Sequence, residues 1–487
     1  MIEQQTRDDG PKSASEDAAA SVKASAHRTP YHAVLVSTYD LGRQPFGLAS
    51  PAAWLSRLGI SVKCVDLARE PFRNSDFEGA DFVAIYVPMH TATRLAEAVI
   101  PKIRRVNASA ELCAYGLYAP PNSEYLRSLG ARFVIGGEFE EPLAELVQQL
   151  RRNSGELDGR CAQPDFIVST QRQQFIVPDR HSLPELKHYS QLARPDGTHG
   201  VVGYTEASRG CKHFCRHCPI VPVYRGKFRI IQKEIVLPDI RQQVEAGAQH
   251  ITFGDPDFFN AVGHTIPLVR DLHGEFPGLT YDVTIKVEHL LKHAKHIPRL
   301  KDTGCAFVTS AVESVDDRLL ELLGKGHTRA DFVAVLELMR EADLPLAPTF
   351  VSFTPWTSLE AYRELLHTIA DLNMVSSVAP VQFAVRLLMP KGSLLLERLD
   401  IKRWIIGFDD KALCYKWQHP DVRMDELHVC VDRVVRDAAK RKLPREEAFQ
   451  AIAKMVAEVI GSRPTILQNS AGPPPCTIPY LTEPWFC

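Results

Sequence analysis

Three cysteines within eight residues are the part of this 487-residue chain best suited to chemistry. Cys211, Cys215 and Cys218 stand in the stretch SRGCKHFCRHCP, spaced C-x3-C-x2-C, with Gly210 before them and Pro219 after. Gly and Pro at those places mark a loop rather than a core strand. Three thiolates this close can hold a soft or borderline metal centre without help from distant segments. A closed zinc site takes four ligands, commonly as two separated pairs, and no second C-x2-C occurs in the chain. Two readings follow. In one, His213 or His217 of the same loop completes a three-Cys, one-His zinc site in a non-catalytic module. In the other, a metal centre keeps an open position, which is what separates a reactive centre from a structural one.

The elements around this loop must hold it rigidly. From residue 31 the chain alternates apolar runs with helical patterns: strands at 31–38, 61–67, 81–88, 111–118 and 132–137, helices at 48–59, 91–105 and 140–152. This spacing predicts a doubly wound, Rossmann-like parallel sheet over 30–152, with any ligand at the carboxyl ends of its strands. No G-x-G-x-x-G follows the first strand, so a dinucleotide is not supported. Residues 153–199 are polar and Pro-bearing and read as a wrapping linker. Over 200–395 the alternation resumes, with strands at 200–208, 250–255, 279–287, 305–313, 344–353 and 378–388. Six strand–helix units make a partial (β/α)6 TIM-like barrel, short of the full eight. The first strand feeds directly into the cysteine loop. A small helical region follows over 396–465, where Phe449, Ile452, Val456 and Val459 recur at helical spacing between Pro444 and Gly461. The ends, 1–29 and 466–487, lack periodicity and read as a disordered tail and a flexible Pro-rich tail.

Composition narrows the class. An apolar fraction of 45% and a net charge of −2 suit a globular protein and create no field that recruits nucleic acid or an anionic membrane. No apolar run reaches the ~18 residues of a membrane span. Eleven cysteines, an odd number without a secretory leader, point to a reducing cytoplasm. Cys64, Cys113 and Cys305 lie in apolar strands and read as core thiols. Cys414, Cys430, Cys476 and Cys487 follow no recognised spacing for a further cluster.

The cysteine loop, placed after the first strand of a partial barrel, resembles the signature of the radical S-adenosylmethionine superfamily. That resemblance implies a 4Fe-4S cluster on Cys211, Cys215 and Cys218. Its open iron would bind the amino and carboxylate groups of S-adenosylmethionine, and its electron would cleave the sulfonium to a 5′-deoxyadenosyl radical. His217 departs from the aromatic carbocycle usual before the third cysteine. GDPDFF (254–259) stands where the family carries a Gly-Gly-Glu-like motif, which implies that Gly254 and Asp255 sit by the methionine amino group. AVESVDDRLLELLGKGHT (311–328) resembles the fourth-strand motif, implying that Glu313 and Ser314 lie near the ribose and carboxylate, with Lys325 and Gly326 after them. Glu288 and Arg386 are weaker candidates, Arg386 as a cofactor contact. The resemblance further implies a flavodoxin- or ferredoxin-type electron donor and an unidentified small-molecule or peptide substrate.

The phrases DLGRQPFGLASPAAWL and VIGGEFEEPLAELV resemble the cobalamin-binding domain found ahead of many such enzymes. No D-x-H-x-x-G follows the first strand, so no His is offered as a lower axial cobalt ligand. With cobalamin the implied reaction is methylation of an unactivated carbon; without it, hydrogen abstraction and rearrangement. Finally, APVQFAVRLLMPKGSLLLE (379–397) together with the terminal LTEPWFC resembles a group named for a Cys-(Sec or Cys)-Ala-Glu-Pro tail. The implied expectation is a selenoprotein whose chain continues past Cys487 through a selenocysteine codon.

Overall fold

The computed structural model describes residues 31–153, 165–461 and 479–483. The Cys161, Cys476 and Cys487 positions, and the tail read as disordered, lie outside them.

Six strands form the first sheet: β1 (His32–Ser37), β2 (Ser61–Asp66), β3 (Phe82–Tyr86), β4 (Glu111–Tyr115), β5 (Phe133–Gly137) and β6 (Phe166–Ser169). All are parallel, in the order β2-β1-β3-β4-β5-β6. Alternate residues of β1 serve opposite faces. Ala33 and Leu35 pack with Leu48, Leu55, Leu143 and Val147 of helices Phe46–Arg57 and Glu140–Asn153. Val34 and Val36 pack with Ala96, Ile100 and Ile103 of helix His90–Val106. Burial on both faces explains why these strands are near-continuous apolar runs. The order turns back between β1 and β3, which opens a crevice at their carboxyl ends. β6 lies in the stretch read as linker; four residues among polar neighbours gave no period to detect.

The second sheet contains β7 (Gln191–Ala193), β8 (His199–Thr205), β11 (His250–Phe253), β12 (Thr280–Thr284), β13 (Cys305–Glu313) and β14 (Leu346–Phe350), β9 (Ser208–Gly210) and β10 (Phe228–Ile230) forming a separate ribbon. From β8 to β14 the pairing is parallel, with a core rich in Tyr281, Phe253, Phe258, Phe332 and Phe350. Antiparallel β7 and then Tyr480–Leu481 extend the β8 edge. The sixth barrel position is reduced to one parallel bridge, Phe353–Arg386, after a 3-10 turn at Pro380–Phe383. Pro380 has no N–H to donate, and the Gln382 side chain accepts the Phe350 N–H at 2.9 Å in place of a ladder bond.

The C-terminal region holds helices Val422–Arg441 and Arg445–Ile460, preceded by a hairpin of Ile405–Asp409 with Cys414–Trp417 that the helical reading did not contain. Phe449, Ile452 and Val456 are buried as the spacing predicts, whereas Val459 is exposed. Gly461 ends the helix at φ 71°.

Candidate functional site

β8 ends at Thr205, and the chain turns through Glu206 and Ala207 into the β9–β10 ribbon. Gly210 takes φ +73°, where a Cβ would sit 2.5 Å from the Lys227 carbonyl oxygen; only glycine fits. The loop that follows is clamped from several sides. The Arg216 N–H donates to the Leu323 carbonyl (2.8 Å), the Cys218 N–H to the Cys215 carbonyl (3.1 Å), and the Ser393 hydroxyl to the Arg216 carbonyl (3.2 Å). All three thiols are free and largely shielded from solvent, Cys215 most of all. Burial pushes the Cys218 thiol up to about 12, against the backbone N–H of Ile220 and the Lys325 ammonium, which favour the thiolate. Such thiols are inert alone and become good ligands where a metal takes the proton's place.

Glu313 closes β13 at φ +69°, at a register shift in its pairing with β14. Its Oε1 accepts from His217 Nε2 (3.0 Å) and Lys325 Nζ (3.3 Å). Burial would raise this carboxyl, but the Lys325 ammonium and the His217 hydrogen bond bring it down to about 2. A loop residue, a strand-end residue and a residue beyond helix Asp317–Leu323 therefore meet at one anion. A positive φ at a non-glycine residue is strained, so the surroundings must enforce it. Ser314, next in sequence, shares with Glu313 a small pocket that also touches Asp316 and Thr357.

Asp255 is used differently. Its Oδ2 accepts the Ala207 N–H (2.9 Å) and its Oδ1 the Ser208 hydroxyl (2.5 Å), so it latches the turn that leads into the cysteine loop. Burial lifts it to about 7 in spite of those two donors. Gly254 packs against Tyr204, whose hydroxyl would lie 1.8 Å from an added Cβ. Arg386 is engaged by Asp425 (2.8 Å), by the Trp417 carbonyl (2.9 Å) and by the face of the Trp417 ring, which places it among C-terminal contacts. Glu288 is half exposed and within 3.2 Å of Lys286 Nζ.

Sequence reasoning missed the charged core beneath the loop. Arg209, two residues before Cys211, is buried and reaches Glu206 Oε2 (2.5 Å), both oxygens of Glu140 (2.6 and 2.8 Å) and Glu138 (3.7 Å). The Arg209 guanidinium also sits over Phe46, Phe139 and Phe175. Glu138 and Glu140 follow β5, so the carboxyl edge of the first sheet grips the cysteine loop of the second. Burial raises Glu138 to about 7 against the pull of Arg209. Glu140 stays below its usual range because Arg209, Ser50 and Gln173 outweigh its burial. Asp40, past the end of β1, is likewise lifted to about 7 by burial, opposed by Arg43. The one available signal was the Glu206–Arg209 spacing just before the first cysteine.

The donors can be tested against a cluster and against cobalamin. His217 is tethered to Glu313 by Nε2, and His213 faces Asp257 and Glu288, each at 3.5 Å, with its two ring nitrogens. At the thiols, then, the loop offers three sulfurs and no imidazole, the donor set of a cluster with one open iron. The first sheet has a crevice at its carboxyl edge, where buried Ser37 Oγ at the end of β1 lacks a hydrogen-bond partner. It offers cobalt no free imidazole: His90 Nε2, near the end of β3, lies 2.5 Å from the Ala412 carbonyl.

Residues 205–367 match the Radical SAM superfamily. Among curated proteins, the tRNA-2-methylthio-N(6)-dimethylallyladenosine synthases of Shigella sonnei (strain Ss046) and Escherichia coli O9:H4 (strain HS) are each 24% identical over 223 residues, 43% of this chain and 46% of theirs. The chain thus spans about half the length of the curated relatives it matches. Among solved structures, the cobalamin-dependent S-adenosylmethionine radical enzyme OxsB with aqua-cobalamin and S-adenosylmethionine bound gives a TM-score of 0.68 at 12% identity, covering 88% of this chain and 73% of OxsB. The radical S-adenosylmethionine methyltransferase TsrM from Kitasatospora setae, with tryptophan substrate and a SAM analog bound, gives 0.60 at 16% identity, covering 75% of each chain. At these identities the likeness is one of fold: a six-stranded parallel sheet ahead of a partial barrel. The expectation of a non-catalytic zinc module fails against the superfamily match and against two histidines turned to carboxylates.

Proposed function

We propose, on the premise that this chain carries a Radical SAM domain over residues 205–367 and is an enzyme of that kind, that it cleaves S-adenosylmethionine reductively. The carrying observation is the three-sulfur donor set on one clamped loop at the end of β8, beside a carboxylate that stays ionised inside the fold. Cys211, Cys215 and Cys218 would hold a 4Fe-4S cluster, and one-electron cleavage of a sulfonium is the chemistry that cluster supplies when bound. The chain's own part is to position. Glu313, held anionic by Lys325 and His217, and Ser314 line the pocket beside the loop and suit the ribose hydroxyls and amino group of the cofactor. Asp255 and Gly254 act one step back, fixing the turn at Ala207–Ser208 so that the thiols converge.

The electron would come from a flavodoxin- or ferredoxin-type donor in the cytoplasm, a location supported by eight unpaired cysteines among the described residues. No helix among the described residues is long and apolar enough to cross a membrane. The substrate is a small molecule or peptide. The cobalamin-dependent fold neighbours favour methyl transfer; without cobalamin, hydrogen abstraction is the reaction class, and the cobalamin content of the purified protein separates the two. The reading is tested by anaerobic iron–sulfide reconstitution. The protein is expected to gain roughly four iron and a broad charge-transfer spectrum, lost in Cys211→Ala. Stoichiometric zinc in the thiol set, with no such spectrum, would overturn it.

A further inference from the structure

A second cluster of donors touches the cysteine loop through His213, and the proposed cleavage reaction does not use it. His213 Nε2, Asp257 Oδ2 and His289 Nδ1 all lie within 4.8 Å of one another. They come from the cysteine loop, the segment after β11 and helix Val287–Lys292. Asp257 Oδ2 is 2.7 Å from His289 Nδ1 and 3.5 Å from His213 Nε2. Each of the three atoms is buried, and none has a hydrogen-bond partner outside the trio. One carboxylate oxygen facing two ring nitrogens leaves these buried atoms short of partners at one point, which a single group that all three can bind would supply. Asp257 is fully buried.

We infer that His213, Asp257 and His289 bind one zinc ion, in a site separate from the thiols. Two imidazoles and a carboxylate are a zinc donor set, and three protein ligands leave the fourth tetrahedral position to water. With metal bonds of about 2.0–2.2 Å, neighbouring ligand atoms stand about 3.3 Å apart, between the two separations found. The supporting groups are also present. Glu288 Oε2 lies 3.5 Å from His213 Nδ1, placed to accept that N–H on metal binding and leave the Nε2 lone pair for the ion. The Phe259 N–H donates to Asp257 Oδ1 (3.2 Å) and fixes the other oxygen toward the histidines. His213 is two residues from both Cys211 and Cys215, so the ion would pin the cysteine loop to β11 and to helix Val287–Lys292.

The inference does not depend on the cleavage reaction, and its test keeps the two apart. Reconstituted full-length protein, treated with a small excess of zinc and desalted, is expected to hold one zinc per chain beside its cluster iron. Cobalt(II) in the same place is expected to give ligand-field bands without a thiolate charge-transfer band. His289→Gln and Asp257→Asn should lose the ion and keep the iron. Glu288→Gln, at a half-exposed position that does not threaten folding, should weaken zinc binding by about 10–100-fold. Zinc that survives His289→Gln, a thiolate band from cobalt, unchanged affinity in Glu288→Gln, or a folded wild-type protein that takes up no zinc would each overturn the site.

Discussion

Replacing Arg209 by Met removes the guanidinium that pairs with Glu206 and Glu140 in a buried cluster of carboxylates and keeps most of its aliphatic volume. The Arg209 side chain is 8% exposed, Glu140 0%, Glu138 1% and Glu206 11%, so bulk water cannot take over the lost pairing. Glu140, whose carboxyl stays below its usual range, would keep the Ser50 hydroxyl and the Gln173 amide, each at 2.7 Å. Removing one partner of a buried pair costs about 3–5 kcal/mol because the other charge is left uncompensated. At about 1.4 kcal/mol per decade, that is roughly two to four decades in the folding equilibrium. The assay is urea unfolding of wild type, Arg209→Met, Glu140→Gln and the double variant, followed by circular dichroism. The double variant is expected to recover part of the single-variant loss, with a coupling of about 1–3 kcal/mol. Since Arg209 also joins the two sheets next to Cys211, iron retention after reconstitution should fall in Arg209→Met. A cost below about 1 kcal/mol, as for an exposed pair, or strictly additive single effects, would refute the reasoning.

Three further outcomes are expected. Asp40 is lifted by burial to about 7; the folded state therefore binds the proton more tightly than the unfolded chain, whose Asp ionises near pH 4. Its contribution to stability is full below about pH 4 and is lost as the pH rises to about 7; Asp40→Asn should flatten that fall in a pH series of unfolding midpoints. Lys325→Met strands the Glu313 carboxylate, which is 10% exposed, and should cost about 3–5 kcal/mol while raising the apparent KM for S-adenosylmethionine. Gly254→Ala forces a methyl to 1.8 Å from the Tyr204 hydroxyl and should cost about 1–3 kcal/mol by overpacking, seen as a lower Tm.

The elements most legible in the sequence were those whose physics is local. β1, β3 and β5 are apolar runs because helices cover both faces, and Pro444 and Gly461 bracket a helix by backbone rules alone. The cysteine loop was legible because its three donors are neighbours in sequence. What stayed hidden depended on distant partners. Arg209 is one charge among many until Glu140, 69 positions away, closes on it. Asp255 carries the expected position, but which way its carboxylate turns is decided by the N–H of Ala207. The run at 378–388 reads as a strand, yet Pro380 and the Gln382 side chain replace all but one of the ladder contacts. His289 is an ordinary helix residue until the fold brings it to Asp257.

The central claim is that three thiols and a buried anion seat a cluster and S-adenosylmethionine side by side. Its most direct test is 5′-deoxyadenosine formed from S-adenosylmethionine by the reconstituted protein with dithionite under anaerobic conditions. 5′-Deoxyadenosine and methionine are expected in equal amounts, abolished in Cys211→Ala, Cys215→Ala and Cys218→Ala. Protein that holds its full iron and cleaves no S-adenosylmethionine, or cleavage that survives loss of a cysteine, would contradict it.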